Sequence, residues 1–446
     1  MQLNIGIIGS GGREHALCKS LALSPQLQHM YCFPGNAGTA QIATNVNIHI
    51  NHPNSFISLK QYCTTHDIQL LIVGPEQPLV NGIADFFTDT DIMVFGPNQT
   101  ASQLEGSKSF TKSICTKYNI PTAKYVTCST DTLRKHLDQI TTYPIVIKID
   151  GLASGKGVYI CNNLQESQII AQQILDNTIT TPPQPIKHDD DHSNHHTIIL
   201  EEFLEGEEMS FFIISDGNTY KPFFTAQDHK REFEGDLGSN TGGMGCYSPS
   251  RLASSDLQQK ICTQIIEPTL HALSTDYNTK YIGFLYAGLM IQKDNNPYLI
   301  EYNVRMGDPE CQTILPLLHQ TDFLQLIHNC CTQRLHESQL YFTDKCAICI
   351  VLCSKGYPHT YQTSIEIPNI DNLSLETHQH IFHAGTILKE SSSQPTIILS
   401  NGGRVLNVVS CTDNFAKSRT EVLQLLSTLN WQNGYYRTDI GHTVIT

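Results

Sequence analysis

The feature that most restricts the fold is the rhythm of the first hundred residues. Short apolar runs alternate with helical stretches, and each run ends in a loop rich in glycine or proline. The four runs are Leu3–Ile8, His29–Phe33, Leu70–Val73 and Ile92–Phe95. Strands that alternate with helices predict βαβ units and a parallel sheet. Because ligands bind at the carboxyl ends of the strands in such sheets, the four loops predict a binding site.

Composition excludes several classes of protein. The chain has 446 residues, which predicts two to four domains at about 100–200 residues each. Its 28 basic and 42 acidic residues give a net charge of −14, which argues against a nucleic-acid-binding surface. No apolar stretch reaches about 18 residues and no targeting segment is evident, so we expect a cytoplasmic protein without a membrane span. The 15 cysteines lie mostly in apolar runs, which predicts buried, reduced thiols.

The rhythm changes near Ser107. Strands are predicted at Ile145–Ile149 and Val158–Cys161, and a helix at Leu164–Leu175. Residues 178–197 form a polar, low-complexity insert. Further on, we predict a long loop at Gln227–Cys246, a helix at Asp256–Thr275, and a hairpin of Gly283–Gln292 with Tyr298–Val304. A last unit begins near Leu335, with a hairpin turn predicted at Gly402-Gly403.

The first glycine-rich loop reads Gly9-Ser-Gly-Gly-Arg-Glu-His15, between a strand and a helix start. Backbone N–H groups and the helix dipole converge on an anion at such a place. The dinucleotide pattern GxGxxG does not fit, because its last position is Glu14 and no acid follows the second strand. A phosphate-bearing small molecule is therefore favoured, with a purely structural turn as the alternative.

A second glycine-rich loop, Asp150–Gly157, follows Lys148 in an apolar strand. A lysine in such a strand requires an anionic partner or an exposed face. The loop differs from the Walker A pattern, but its amides and Lys156 suit a polyphosphate. The carboxylate-rich stretch Glu201–Glu208 is either a solvated linker or a strip that bonds adenine and ribose.

Strand periodicity gives Glu301, Asn303 and Arg305 one common face, since alternate residues of a strand point the same way. A carboxylate and an amide oxygen suit Mg²⁺, which shares its coordination with substrate phosphates. Arg305 beside them suits a carboxylate or a developing negative charge. The alternative is a solvated polar face.

Seven segments, taken in order, resemble the phosphoribosylamine–glycine ligase family, the glycinamide ribonucleotide synthetases. They are Gly9–Leu17, Pro34–Thr39, Leu104–Lys108, Asp150–Gly157, Gln227–Arg231, Asn240–Gly245 and Arg305–Glu310. The resemblance covers nearly the whole chain. Among its departures, Phe284–Ile291 lacks the metal-binding acid that many ATP-grasp enzymes carry on that strand.

The resemblance implies an α/β protein, with α+β parts. Its units would be a Rossmann-like N-terminal domain at 1–105, an ATP-grasp domain of two subdomains at 106–333, and a small α/β C-terminal domain at 334–446. The subdomain that clasps ATP would span about 123–197, with the insert at 178–197.

The resemblance also implies site residues. ATP would be bound by Lys108, Lys148, Gly155, Lys156, Gly157, Glu201, Leu204 and Glu208. Substrate would be bound by Gly9, Gly11, Gly12, Arg13, Glu14, Asn36, Gly38, Thr39, Glu76 and Arg305. Lys148 and Arg305 would be catalytic, and Glu301 and Asn303 would bind Mg²⁺ or Mn²⁺.

The implied reaction joins glycine to 5-phosphoribosylamine through glycyl phosphate, with ATP consumed, as a step of de novo purine biosynthesis. We expect a monomer whose partners are these small molecules. Two alternatives remain: a carboxylate–amine ligase of the same superfamily with another acid, and a nucleotide sensor without catalytic activity.

Overall fold

In the computed structural model, the structure describes residues 2–152, 157–176, 178, 196–370, 373–389 and 397–445. The N-terminal strands are β1 (Leu3–Gly9), β2 (Leu27–Pro34), β3 (Thr44–Asn45), β4 (Leu70–Val73) and β5 (Met93–Phe95). They form a parallel sheet in the order β3-β2-β1-β4-β5. The helices are α1 (Gly12–Leu21), α2 (Asn54–Thr65), α3 (Glu76–Val80), α4 (Ile83–Phe86), α5 (Gln99–Gly106) and α6 (Lys108–Tyr118). The predicted parallel sheet is confirmed.

A small antiparallel sheet follows, which we call the clasp. Its strands are β6 (Tyr125–Ser129), β7 (Ile145–Ile149), β8 (Val158–Cys161) and β9 (Thr197–Glu202), in the order β6-β9-β7-β8. Helices α7 (Leu133–Leu137) and α8 (Leu164–Leu175) pack against it around a separate hydrophobic core. The two predicted strands and the predicted helix have the bounds expected from the sequence.

The rest of the described chain is built around one large sheet. The central part of this region of the chain contains β10 (Glu207–Asp216), β11 (Tyr220–Asp228), β12 (Arg231–Phe233), β13 (Leu237–Asn240), β14 (Gly245–Ser248), β15 (Ile282–Ile291) and β16 (Pro297–Asn303). The helices here are α9 (Ser255–Ile261), α10 (Glu267–Asp276), α11 (Glu310–Ile314) and α12 (Phe323–Cys331). The last part contains β17 (Cys346–Ser354), β18 (Gln379–His383), β19 (Thr386–Lys389), β20 (Ile397–Ser400), β21 (Arg404–Thr412), α13 (Phe415–Leu429) and β22 (Gly434–Tyr435).

The sheet continues across the last predicted domain boundary. Its order is β16-β15-β10-β11-β14-β17-β21-β18, with β22 paired to β17. One hydrophobic core includes Ile5 of the parallel sheet, Phe212 of β10 and Ile350 of β17. The C-terminal part therefore packs against both other parts, and the predicted division at residues 105 and 333 stays a prediction.

The helix expected at Asp256–Thr275 is confirmed as continuous helical backbone, with a π-helical turn at Cys262–Ile266. Two local predictions were wrong. The long loop expected at Gln227–Cys246 contains the β12–β13 hairpin, because Gly235 and Asp236 take up positive φ values in the turn between its strands. Gly402-Gly403 does not form a hairpin, because β20 pairs with β19 while β21 pairs with β17 and β18.

Other predictions concern thiols, membrane spans and segments outside the described residues. All 15 cysteines are free and buried or half-buried, as the sequence predicts. None of the helices in the described part of the chain has the length and apolar character that a membrane crossing requires. Gly155, Lys156 and nearly all of the 178–197 insert lie outside the described residues.

Candidate active site

A cleft of about 680 Å³ lies between the clasp and the large sheet. A smaller recess of about 110 Å³ adjoins it and reaches the first turns of α6. Lys148, Glu201, Glu301, Asn303 and Arg305 line both spaces. The structure therefore brings together the residues that the sequence assigned to nucleotide, metal and acyl group.

Lys148 is buried and belongs to an ion-pair cluster. Its ammonium lies 2.9 Å from Oε2 of Glu201, and a second lysine, Lys112, lies 3.1 Å from Oε1 of the same carboxylate. Glu201 pairs with Val146 across the β7–β9 ladder, so Lys148 lies two residues further along the same face. The side chain of Glu201 thus pairs with two lysines, which differs from the adenine or ribose contact expected from the sequence.

Lys108 begins α6 and is held by the loop that follows β7. The carboxylate of Asp150 accepts hydrogen bonds from the Lys108 backbone N–H at 2.5 Å and from Ser107 Oγ at 3.1 Å. The Lys108 ammonium donates to the carbonyl of Gly151 at 2.8 Å. Burial lowers the pKa of Lys108, although Glu301 and Asp150 oppose the shift. Hydrogen bonds between the start of α6 and the loop after β7 therefore hold the Lys108 ammonium at the wall of the recess.

Glu301 and Asn303 point into the cleft from β16, while Tyr302 between them is buried on the other side. Neither polar side chain makes a hydrogen bond within the described part of the chain. Gly288 lies opposite Glu301 in the ladder, so no acid faces Glu301 from β15. Two oxygen donors without hydrogen-bond partners among the described residues fit Mg²⁺, which takes few protein carboxylates and completes its shell with phosphates and water.

Arg305 lies between two carboxylates. Its Nη2 donates to Oε1 of Glu105 at 2.7 Å, and its Nε lies 3.2 Å from Oε2 of Glu76. Burial raises the pKa of Glu105 to about 7, although Arg305 opposes the shift. At Glu76 burial acts in the same direction, but Arg305 and Arg13 outweigh it, so the pKa is below its usual value. Arg305 is therefore held in place from both sides at the cleft wall.

The first glycine-rich loop is fixed by its own acidic residue. Glu14 accepts from the backbone N–H of Gly11 at 2.6 Å and from Nε of Arg13 at 2.6 Å. Gly9 has φ +121°, and a Cβ there would lie 2.6 Å from the Glu14 side chain. A Cβ at Gly12 would lie 2.2 Å from Asn407, so this loop is packed against β21. Of these residues, Arg13 reaches the cleft wall.

The loop after β2 is closed by Asn36. Its Nδ2 donates to the carbonyls of Ser10 and His383, both at 2.8 Å, and its Oδ1 accepts from the N–H groups of Gly38 and Thr39 at 2.8 and 3.0 Å. Thr39 is completely buried. The side chains of Asn36 and Thr39 therefore hold the loop together, and a ligand here would meet backbone groups.

The linker after β9 forms the outer wall of the cleft. Leu204 and Glu208 line it, as expected from the sequence, and Phe203 is partly exposed there. Glu208 pairs with Lys230 at 2.8 Å, and this charge holds the pKa of Glu208 below its usual value. Gly157, the described end of the loop after β7, is buried and has φ +86°.

Sequence reasoning gave no role to several residues at the cleft. Glu310 is buried and Asp228 beside it is half-buried, and the shielded Asp228 Oδ1 has no hydrogen-bond partner among the described residues. Burial and the charge of Glu310 raise the pKa of Asp228 well above its usual value. Asp228 and Glu310 lie in two segments that resemble the family, Gln227–Arg231 and Arg305–Glu310, and this resemblance could have identified them. Glu105 also lies in such a segment, Leu104–Lys108. Lys112 gave no such signal, because it lies outside these segments and its partner Glu201 is distant in sequence.

Three comparisons agree with this geometry. The chain matches the phosphoribosylglycinamide synthetase family: the N domain over residues 3–105, the ATP-grasp (A) domain over 106–311 and the C domain over 347–443. It is 38% identical to a phosphoribosylamine–glycine ligase of Brucella melitensis over 98% of this chain and 97% of the relative. A ligase of the same name from Agrobacterium fabrum is 39% identical over 99% of each chain.

A solved structure is similar over the whole length. It is the phosphoribosylamine–glycine ligase of Thermotoga maritima, which is 29% identical with a TM-score of 0.80 and matches over 98% of this chain and 100% of that one. The chain therefore belongs to the phosphoribosylglycinamide synthetase family of ATP-grasp carbon–nitrogen ligases.

Proposed function

We propose that this chain joins glycine to 5-phosphoribosylamine and gives glycinamide ribonucleotide, ADP and phosphate. The observation that carries the proposal is the shared cleft in which Lys148, Lys108, Arg305 and the free oxygen donors of β16 meet. Membership of the family supports glycine and phosphoribosylamine as the substrates, and the lysines at the recess support the binding of a polyphosphate. The product belongs to de novo purine biosynthesis.

ATP would lie with its base against the linker residues Leu204 and Glu208 and its phosphates toward Lys108 and Lys148. Gly157, Gly155 and Lys156 would approach the phosphates from the loop after β7. Glu201 would act through Lys148 rather than on the base, because both its carboxylate oxygens already face lysines. The clasp would exclude water from the acyl phosphate, which water hydrolyses.

Glu301 and Asn303 would hold Mg²⁺ or Mn²⁺, since their oxygens face the cleft without a hydrogen-bond partner in the described part of the chain. Such an ion, when bound, supplies positive charge beside the phosphates. The protein's own cations supply the rest, because Lys148 and Arg305 flank the same space.

The chemistry is acyl activation followed by amine transfer. The glycine carboxylate attacks the γ-phosphorus of ATP, the bond to the β-phosphate oxygen breaks, and glycyl phosphate and ADP form. The amine of phosphoribosylamine then attacks the acyl carbon and expels phosphate, with loss of a proton from nitrogen. Lys148 and Arg305 neutralise developing negative charge, and positioning in the cleft accounts for most of the remaining acceleration.

Phosphoribosylamine would approach from the first loop. Arg13 and Glu76 reach the cleft wall there, and Gly9, Gly11, Gly12 and Glu14 form the support behind them. Asn36, Gly38 and Thr39 would keep this support rigid. We further propose that the enzyme acts as a monomer in the cytoplasm.

The test is ADP release measured with both substrates and with each one omitted. Sustained release should require glycine and phosphoribosylamine together. Equal turnover with alanine or another small amino acid in place of glycine would favour a related carboxylate–amine ligase, and equal turnover without any acid would exclude the ligase activity.

A further inference from the structure

Helix α6 carries two lysines one turn apart, the half-buried Lys108 and the buried Lys112, and the second has no role in the function proposed above. The side chain of Lys112 is 4% exposed. Its ammonium donates to Thr122 Oγ1 at 2.7 Å and to the carbonyl of Ala123 at 3.5 Å. The ring of Tyr125 lies 5.2 Å from the same atom. Lys112 is therefore held in one place by neutral groups as well as by charge.

The charged partner of Lys112 is shared with the phosphate-side lysine. The Lys112 ammonium lies 3.1 Å from Oε1 of Glu201, and the Lys148 ammonium lies 2.9 Å from Oε2 of the same carboxylate. All three side chains are at most 6% exposed. Two ammonium groups and one carboxylate give this cluster a net charge of about +1, and water screens it little at such burial. The cluster lines the recess that also contains Glu301 and Asn303.

The sharing has a consequence for anion binding. If Lys148 were the sole partner of a buried carboxylate, an incoming phosphate would have to separate that pair and leave Glu201 uncompensated, which is strongly unfavourable. With Lys112 present, Glu201 keeps a partner when Lys148 turns toward a phosphate. The hydrogen bond to Thr122 also keeps Lys112 from moving toward the phosphate together with Lys148. Thr122 in turn donates a hydrogen bond to the Leu299 carbonyl of β16 at 2.7 Å.

We propose that Lys112 is a positioning residue of the nucleotide site: it holds Glu201, so that Lys148 is free to bind the phosphates of the nucleotide. The proposal rests on the ATP site proposed above and deepens it. It assigns Lys112 no contact with ATP. Its effect should therefore grow with the number of phosphates on the ligand.

Calorimetric titration of Lys112→Met with AMP and with the non-hydrolysable ATP analogue AMP-PNP tests this. The dissociation constant for AMP-PNP should rise about tenfold or more, which corresponds to about 1.4 kcal/mol, while that for AMP changes less than about threefold. Lys117→Met is the matched control, because Lys117 lies on the same helix with a 62% exposed side chain and pairs with Asp276 away from the recess. The control should bind both ligands as the wild type does.

A double variant tests the mechanism and covers the case in which Lys112→Met fails to fold. Lys112→Met/Glu201→Gln removes the carboxylate that would retain Lys148, so AMP-PNP affinity should return to within about threefold of the wild type, a coupling that only interacting residues show. A double variant as weak as the single one would overturn the proposal. So would an equal loss for AMP and AMP-PNP, which indicates a general structural defect. Wild-type protein that binds AMP but not AMP-PNP would instead overturn the phosphate site itself.

Discussion

The loops at the edge of the parallel sheet and the cleft under the clasp are both rich in polar residues, but they use them in opposite ways. The polar atoms of Asn36 are satisfied within the protein, since its amide group bonds four backbone groups within 3.0 Å. In the cleft, Glu301 and Asn303 make no side-chain hydrogen bond within the described residues. Saturated groups build a scaffold, and unsaturated groups at a cavity wall are available to a ligand.

Charge shows the same difference. In the first loop, Glu14 and Arg13 neutralise each other at 2.6 Å. In the recess, the group of Lys112, Glu201 and Lys148 has one positive charge in excess, while Glu76, Glu105 and Glu301 line the same recess. The comparison teaches that a polar residue type alone does not identify a ligand-binding group; its remaining hydrogen-bonding capacity and the charge of its immediate partners do.

The largest expected effect is at the metal position. Glu301→Ala should lower kcat/KM by about two orders of magnitude or more, because one charged stabiliser of the phosphates is lost. Asn303→Ala should lower it less, since it removes a neutral oxygen. The measurement is the steady-state rate over a series of Mg²⁺ concentrations. If the rate of Glu301→Ala follows the wild type at every concentration, the metal assignment is wrong.

The second effect separates the two regions by ligand. Lys148→Ala should raise KM for ATP about tenfold or more and leave KM for phosphoribosylamine within about twofold. Gly11→Asp should do the reverse. Its new carboxylate would lie beside Glu14 and Asp308, whose oxygens are 2.8 and 3.1 Å from a Cβ at this position, and would also repel a phosphate. Initial rates with each substrate varied in turn measure both constants, and a loss of ATP affinity in Gly11→Asp would make the first loop a nucleotide site.

The third effect is on stability. Asn36→Ala should lower the free energy of unfolding by about 2–4 kcal/mol, because it leaves several buried backbone groups without partners. Exposed Asn51→Ala is the matched control and should change the free energy by less than about 0.5 kcal/mol. Urea denaturation of both variants gives the values. A fully stable Asn36→Ala with a raised KM for phosphoribosylamine would make Asn36 a ligand rather than a scaffold residue.

The smallest effect is a dependence of stability on pH. Because the pKa of Glu105 is raised from 4.5 to about 7, the folded state binds more protons than the unfolded state between these values. This group therefore stabilises the protein below pH 4.5, and the stabilisation is lost as the pH rises toward 7, at up to about 1.4 kcal/mol per pH unit. Glu105→Gln should flatten that part of the profile.

Glu76, on the other side of Arg305, contributes to the pH dependence of stability with the opposite sign. Its pKa is lowered, so its contribution is present above pH 4.5 and is lost as the pH falls through the lowered value. Glu76→Gln should therefore leave the slope between pH 5 and 7 in place. Denaturant titrations over this range compare the two variants, and equal profiles would contradict the assignment of the shift to Glu105.

Local patterns predicted much of the fold. Four of the five strands of the parallel sheet, the β7–β8 pair and α8 follow from apolar runs and periodicity, which act within a few residues. The β12–β13 hairpin could not be predicted, because its strands are short and lack a run of alternating apolar residues. The pairing of β14 with β17 joins distant segments and left no local trace.

In the site, the sequence by itself determined the common face of Glu301 and Asn303, because the two-residue period of a strand is a property of the backbone. Arg305 lies beyond the end of β16, so its place at the same cleft depends on the tertiary structure. Only the tertiary structure decided which cation meets which carboxylate. Glu105 and Arg305 are 200 positions apart, and Lys112 reaches Glu201 from another element. Such pairs depend on how sheets and helices pack, and the free energy of an ion pair depends on the burial that this packing creates.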